Sequence, residues 1–224
     1  DVGAYACHEF EPPKPGHQYL ITADPAGFGS TGDKSALTVW DAIDWKEIAF
    51  WEDRETPDRF AQRLQTIQRR YNNALLAVES NATACIAILK DQGTRNLLWT
   101  DRNHPGWYAT QKRIRESEAR LVQMLRQGDL RIQSRGTLHQ LLNYDGSTKK
   151  RVRGEDGILH HFDRARTAVM AADILAKRKF HVPTKEEPNT YSAGQVTIRQ
   201  LDDHRRNKKQ QSISPFKPAS LSWS

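Results

Sequence analysis

Two carboxylates stand at the ends of short apolar runs. Asp24 closes the run that begins at Tyr19, and Glu79 closes the run 74–79. In sheets covered by helices, ligand sites gather beyond the carboxyl ends of the strands. If these two strands are neighbours, the carboxylates converge and repel each other unless a cation joins them. Hard oxygen ligands of this kind select Mg²⁺ or Mn²⁺, whereas an isolated acid after a strand often caps a turn or faces solvent.

A third acid, Asp163, opens a predicted amphipathic helix directly after two histidines, His160 and His161. An aspartate at a helix start is most often an N-cap, and that interpretation stays open here. The two histidines have no cysteine or third histidine nearby in the sequence, which argues against zinc. The glycine-rich segment 27–35 nearly fits a phosphate-binding loop, but Asp33 displaces the lysine by one position, which argues against nucleotide binding.

Positive charge is concentrated in one part of the chain. Residues 110–154 hold eleven Lys/Arg and four acids, so their excess equals the net charge of +7 of all 224 residues. A basic segment of this size favours a polyanionic partner and salt-dependent binding, although a solvated helix face with a charged loop would have the same composition. The candidate residues for contact with a nucleic acid are Lys149, Lys150, Arg151 and Arg153 in a polar loop or hairpin, with Lys112, Arg113 and Arg115 as secondary candidates.

The elements that must position these residues follow from hydrophobic periodicity. The pattern predicts an α/β fold, a mixed β-sheet with helices on both faces. The predicted strands are 18–24, 35–43, 46–52, 74–79, 96–100 and 129–133, with a tight turn at Asp44-Trp45. The predicted helices begin at Thr56-Pro57, pass through Ile86 and Leu89, and cover 113–127, 135–143 and 163–178.

The two ends of the chain differ in composition from its middle. Residues 1–17 carry three prolines and are predicted to form a linker or arm, and residues 18–182 the folded domain. Residues 183–224, rich in Pro, Ser and Gln with a basic run, are predicted to form a poorly ordered tail. No apolar window is long enough for a membrane span, and two cysteines exclude a disulfide framework, so we expect a reducing cytoplasm and no membrane partner.

Four segments together resemble the nuclease domain of tailed-phage terminase large subunits. Tyr19–Asp24 and the segment that follows, as far as Asp41, resemble the first acidic motif of this family. Leu76–Asn81 resembles the second. Gly106-Trp107-Tyr108-Ala109-Thr110 resembles a segment between motifs two and three, and His160–Arg164 resembles the third motif. The resemblance covers roughly residues 18–178 in the right order; no single motif is specific, but four in order are.

This resemblance implies an RNase H-like fold and metal-dependent cutting of double-stranded DNA during genome packaging. Asp24, Glu79 and Asp163 would hold one or two Mg²⁺ or Mn²⁺ ions, and His160 would help at the scissile phosphate, unless it is a structural histidine. Phe162 stands where an acid is common in the family, which leaves a second ion one ligand short. The packaging ATPase of the family would lie upstream, with portal and small terminase subunit as possible partners in the cytoplasm of an infected bacterium.

Two other functions remain compatible with the sequence. One is another RNase H-like nuclease, such as a junction resolvase or a transposase core, because these enzymes also use three or four acids on this fold. The other is a DNA-binding or docking module without catalysis, which the presence of all three acids disfavours. The expected cutting has little sequence preference, since basic side chains that grip the DNA backbone do not read bases.

Overall fold

The centre of the molecule is a strand in which every residue is buried, Tyr19–Asp24. The computed structural model describes residues 7–26, 34–144, 151–153 and 159–180, with 151–153 and 159–161 as backbone only. In chain order the elements are β1 His8–Glu9, β2 Tyr19–Asp24, β3 Ser35–Asp41, β4 Lys46–Asp53, α1 Pro57–Arg70, β5 Leu75–Val78, α2 Thr83–Asp91, α3 Gln111–Gln127, α4 Arg135–Leu142, β6 Arg151–Arg153, β7 Leu159–His161 and α5 Asp163–Lys177.

A five-stranded mixed sheet has the order β1-β4-β3-β2-β5. The neighbours β2 and β5 are parallel, with Ala23 opposite Val78, whereas β2 and β3 are antiparallel, with Asp24 opposite Ala36. The strands predicted at 18–24, 35–43, 46–52 and 74–79 are therefore present, each within two residues of its expected bounds. The two acid-ending strands are direct neighbours that point the same way, so the carboxylates after them lie at one edge of the sheet.

Helices cover both faces of the sheet, as predicted. Alternate residues of β2 point to opposite faces. Ile21 and Ala23 belong to a core cluster that includes Phe60 and Leu64 of α1 and Cys85 of α2. Leu20, by contrast, packs in a second cluster that includes residues of α3 and α5. Thr22 lies on this second face, where its hydroxyl accepts a hydrogen bond from the Trp40 indole.

Two of the predicted strands form only isolated bridges. Leu97 pairs with Leu76, and Arg131 pairs with Lys46. Pairing at Leu97 does not extend into a strand because Asn96, just before it, has a φ of 55°. On the other side, the chain turns back at Pro105 and Gly106 to meet Trp99. The second is short because Ser134 already caps α4, accepting a hydrogen bond from the Thr137 amide. These two predictions were wrong in element type and right in placing the segments beside the sheet.

Part of the segment predicted as a linker or arm is integrated into the sheet. Within residues 7–17, β1 pairs with β4, and Glu9 accepts hydrogen bonds from Arg70 and from the Tyr71 hydroxyl. The prolines had suggested a segment without contacts to the domain. Glu9 instead anchors the segment through contacts with residues that are remote in the sequence. The other predicted bounds, 18–182 and 183–224, stay predictions, and the tail lies outside the described residues.

The third acid enters the fold through the last helix. The two-stranded sheet of β6 and β7 pairs Arg151 with His161, in agreement with the predicted hairpin. Two residues after the end of β7, α5 begins at Asp163, and this helix is buried along most of its length. Its Thr167 hydroxyl lies 2.7 Å from the Thr38 hydroxyl of β3, which fixes α5 across the same face as Thr22. Among the described helices, none is long and apolar enough to cross a membrane.

Candidate active site

The three predicted acids lie on one face and at one end of the sheet. Asp24 is two residues after Thr22 and therefore points to the α5 side. Glu79 follows β5 and continues the alternation of Leu75 and Ala77, so its side chain points to the same face as theirs. Leu75 and Ala77 both pack in the cluster on the α5 side. Asp163 begins the helix that covers that face. As whole residues, Asp24, Glu79 and Asp163 are 1 %, 4 % and 1 % exposed, respectively.

An arginine that the sequence analysis did not single out lies among these acids. Arg166 Nη2 donates to Glu79 Oε1 at 2.9 Å, and the residue is only 9 % exposed. Burial by itself lowers the pKa of this guanidinium. The negative charges of Glu79 and Asp24 act in the opposite direction, and the net result is a pKa above the ordinary value of an arginine. The signal in the sequence was its spacing of three residues from Asp163, which puts both on one side of α5.

Glu79 is held in place by the segment after α2. The Glu79 amide donates to the Ala23 carbonyl at 2.9 Å, and the Trp107 amide donates to the Val78 carbonyl at 2.7 Å. Gly106 approaches β5 so closely, with a φ of +87°, that a Cβ would lie 2.4 Å from the Val78 oxygen. Trp107 is fully buried and its indole donates to Asp173 of α5. This segment therefore ties the end of β5 to the helix that carries Asp163.

A second pair of elements fixes the start of α5. Gln140 Oε1 of α4 accepts from the amides of Arg164 and Ala165, at 2.9 and 3.1 Å. These amides belong to the first turn, where a helix lacks partners of its own. Gln140 Nε2 donates to Glu52 of β4, and the same carboxylate pairs with Arg164. Gln140 thus positions Asp163, and no pattern in the sequence pointed to it.

We expect Gln140→Ala to weaken both the fold and the site. The loss of an acceptor for two helix-start amides costs about 1–2 kcal/mol of unfolding free energy. A displaced Asp163 should then weaken the binding of added Mn²⁺ to the folded chain by about tenfold, measured by titration. The matched control is Gln65→Ala, which removes a hydrogen bond to Thr94 on the far side of the sheet. Unchanged Mn²⁺ binding by Gln140→Ala would show that Gln140 does not position the acid.

A different set of side chains meets the spacing of a metal site. Among the described residues, His17, Asp41 and Asp44 have potential ligand atoms within 4.8 Å of one another, whereas Asp24, Glu79 and Asp163 do not form such a set. The set lies at the other end of β2, since Asp41 pairs with Tyr19. Lys14 Nζ already lies 2.9 Å from Asp44, and Asp41 Oδ1 accepts from the amides of the turn after β3. These contacts account for the cluster as a structural one.

The carboxylates at the α5 face still fit a divalent cation. All three carboxylates are buried, and Glu79 forms an ion pair with Arg166. Carboxylates that share a site repel one another, and a divalent cation bound between them relieves that repulsion. All the donors are hard oxygens, which suit Mg²⁺ or Mn²⁺. Asp24, Glu79 and Asp163 would hold the ion, and the identity of the ion is open.

The structure divides the predicted DNA-contacting residues into four groups. Lys112 and Arg115 are exposed, and Lys112 has a 3.8 Å contact with Glu116. Arg113 instead pairs with Asp173 at 2.7 Å and stacks over Trp107, so its guanidinium is engaged within the fold. Arg151 and Arg153 form β6, and His160 lies in β7 three residues before Asp163. Lys149 and Lys150 lie outside the described residues.

This arrangement is consistent with the RNase H-like nuclease fold: a mixed sheet, two acids at the ends of parallel neighbours and a third on a helix across them. Solved structures that share this fold include nuclease domains of large terminases. The large terminase nuclease from thermophilic phage G20c with bound magnesium has a TM-score of 0.56 and 19 % identity, covering 73 % of this chain and 85 % of that one. The large terminase nuclease domain of Thermus phage P74-26 has a TM-score of 0.52 and 18 % identity, covering 72 % and 81 %.

The G20c nuclease has also been solved with bound cobalt, with a TM-score of 0.54 and 18 % identity to this chain over 73 % of it and 85 % of the G20c chain. At these identities the likeness establishes the fold, which confirms the resemblance seen in the sequence at that level. No protein-family profile matches the chain. No curated protein matches it either.

Proposed function

We propose that this chain is a divalent-metal-dependent endonuclease that cuts double-stranded DNA with little sequence preference. In this proposal it is the genome-cleaving part of a viral DNA-packaging terminase. The observation that carries the proposal is the position of Asp24, Glu79 and Asp163: buried, on one face, at one end of the sheet. Neighbours of the same fold are large terminase nucleases, one of them solved with magnesium.

Phosphodiester hydrolysis needs an activated water and neutralisation of the charge that builds on the phosphate. A divalent cation supplies both when it is bound by carboxylates. The ligands we propose are Asp24 at the end of the fully buried β2, Glu79 directly after β5, and Asp163 at the start of α5. Glu79 Oε1 also forms an ion pair with Arg166, which fixes this carboxylate in the site. His160 is proposed to act at the scissile phosphate, three residues before Asp163.

The proposed DNA contacts come from the basic hairpin that leads into α5. β6 reads Arg151-Val152-Arg153, and its partner β7 ends two residues before Asp163. In this proposal Arg151 and Arg153, with Lys149 and Lys150 directly before them in the sequence, bind the DNA backbone next to the acids. Lys112 on α3 is a further candidate. Contacts of this type bind the phosphate backbone in any sequence and weaken as salt rises.

The proposed setting is the cytoplasm of an infected bacterium. There the nuclease would act with a packaging ATPase domain upstream, and portal or small terminase subunit are further proposed partners. The terminase nucleases of phages G20c and P74-26 support this context by their fold.

A plasmid-cleavage assay tests the proposal. The full 224-residue chain is incubated at low salt with supercoiled DNA while Mg²⁺ or Mn²⁺ is titrated. We expect linear product that depends on the ion and disappears with a chelator, at sites scattered around the plasmid. Parallel reactions that compare a four-way DNA junction with a linear duplex of equal length test the resolvase alternative. Preference for the junction would point to that enzyme, and tight salt-sensitive DNA binding without any cleavage would contradict a nuclease active on its own.

A further inference from the structure

A groove with a volume of about 480 Å³ lies beside the end of β5. One side of it is a face of α2, on which Thr83, Ile86 and Lys90 recur at helical spacing. Residues of the segment 104–108, which returns to β5, line it as well. Sites for small ligands have volumes of about 300–1,000 Å³, so the groove is large enough to hold one.

Two exposed aromatic rings mark this groove. Tyr108 lines it and is 42 % exposed. Trp99 is 45 % exposed, and the ammonium of Lys90, which also lines the groove, lies 5.6 Å from its ring centroid. No other tyrosine, tryptophan or phenylalanine among the described residues is as exposed as these two. Exposed aromatic surface is typical of binding sites, since a flat apolar ring gains stability when another group covers it.

The segment that carries Tyr108 is held in place by the fold. Asp101 accepts a hydrogen bond from the His104 amide, and its carboxylate lies 2.8 Å from His104 Nδ1. Thr100 Oγ1 accepts from the Tyr108 amide at 3.1 Å and donates to the Gly106 carbonyl at 2.8 Å. A wall that is ordered in advance loses little conformational freedom when a ligand binds.

The groove adjoins the proposed active site. Asn81 lines it, and Asn81 Nδ2 lies 3.5 Å from Glu79 Oε1. Among the described residues that line the groove none is acidic, and Lys90 is exposed and positively charged. These features suit a DNA strand, since a strand with one phosphate at the acids has a neighbouring nucleotide close to the groove and a negative charge for Lys90 to bind.

The shape of the groove favours a single unpaired base over a base pair. Inside a duplex both faces of a base are stacked and its edge is paired, so a base enters a protein cavity only when it is single-stranded or turned out of the helix. Aromatic rings stack on every base, because each base has a π face. Binding of this kind is therefore compatible with cutting that has little sequence preference.

We propose that this groove binds an unpaired nucleobase of the DNA strand beside the cleavage position. The base stacks on Tyr108, whose ring is supported by the His104 ring 4.8 Å away, and Lys90 contacts the accompanying phosphate. The proposal rests on the proposed nuclease function and deepens it, because it assigns a place in the protein to one base of the substrate. It implies that DNA is bound with a base out of the helix next to the cut.

Binding without metal tests the proposal. The full chain is titrated at low salt, with EDTA present, into fluorescein-labelled DNA duplexes while the fluorescence anisotropy is recorded. One duplex has a single-stranded thymidine tail, and the other has a tail of equal length made of abasic nucleotides. We expect the wild-type chain to bind the thymidine tail about tenfold more tightly, because a base gains affinity by stacking on an aromatic ring. Tyr108→Ala should lose this preference, and Tyr108→Phe, which keeps the ring, should retain it.

The matched control is Leu138→Ala. Leu138 is an apolar side chain of similar exposure, but it lies on α4 and not at the groove. It should keep the preference for the thymidine tail. Equal binding of the two tailed duplexes by the wild-type chain, which is expected if another protein covers the groove instead, would overturn the inference. An undiminished preference in Tyr108→Ala would overturn it as well.

Plasmid cleavage by the same preparations separates this inference from the proposed function. A wild-type chain that cuts DNA and shows no preference between the tails would overturn the inference and leave the nuclease proposal intact. A preference that Tyr108→Ala removes, in a chain that cuts no DNA with either metal, would support the groove and contradict the nuclease.

Discussion

Replacement of Asp24 by asparagine should abolish DNA cleavage without unfolding the protein. Asn has the shape of Asp and lacks its charge, so the buried end of β2 keeps its packing. The site loses one of its three proposed metal ligands. Because the charge stabilisation that such an ion gives a phosphoryl transition state is several kcal/mol, we expect cleavage to fall by about 10³-fold or more. The measurement is the initial rate of plasmid linearisation at saturating Mn²⁺.

The same variant should respond differently to metal in thermal unfolding. A ligand that binds only the folded state raises its stability in proportion to the logarithm of ligand concentration over Kd. The wild-type chain should therefore gain stability as Mn²⁺ is added, and Asp24→Asn should not. Without metal, Asp24→Asn should be at least as stable as wild type, because one of three clustered buried negative charges is gone. A clear loss of stability without metal would mean that the Asp24 charge itself supports the fold.

The control for Asp24→Asn is Asp41→Asn. Asp41 is also a buried aspartate at a strand end, on the neighbouring β3 but at the opposite edge. It pairs with His17 at 2.8 Å and accepts from two turn amides, so its replacement should lower stability and leave metal-dependent cleavage in place. If Asp41→Asn removes cleavage and Asp24→Asn does not, the metal lies at the His17, Asp41 and Asp44 set.

Gly106→Ala should be among the most damaging single-methyl additions in this chain. Gly106 has a φ of +87°, and a Cβ there would lie 2.4 Å from the backbone oxygen of Val78. The left-handed backbone alone costs alanine about 1–2 kcal/mol. Displacing a strand carbonyl adds about 1–3 kcal/mol, as overpacking does elsewhere. We therefore expect a loss of about 2–5 kcal/mol, which lowers the Tm of a chain this size by about 4–20 °C.

The displaced atoms lie directly before Glu79, so activity should fall further than stability explains. A shift of about 1 Å at a catalytic group can cost about 10²-fold in rate. Cleavage should be measured well below the new Tm, so that unfolding does not contribute.

Gly128→Ala is the matched control for Gly106→Ala. It has nearly the same backbone, with a φ of +75° at the end of α3, but nothing lies within 4 Å of its Cβ position. It should cost only about 1 kcal/mol and leave cleavage unchanged. Equal losses in the two variants would mean that the backbone angle, and not the contact with Val78, sets the cost.

Local sequence determined most of the elements and the positions of the acids. β2 and β5 are apolar runs that are each followed or ended by an acid. The apolar residues require burial, and the acid requires that the end of the strand lies at an edge of the sheet. The helices followed from apolar spacing and from end signals, such as Thr110, which accepts from the Arg113 amide, and Gly128 in the left-handed conformation. These signals act over a few residues, so they can be read without the fold.

Tertiary structure decided which side chains share the site. Arg166 reaches Glu79 across 87 positions of the chain, and Gln140 reaches the start of α5 from another helix. Arg113, which in the sequence belongs to a basic run, turns inward because Asp173 faces it from α5. Such contacts depend on how the elements pack against one another. The packing decides which charged side chains are buried together and therefore which pairs they form. Strand order, which makes β2 and β5 parallel neighbours, was likewise set by packing on both faces.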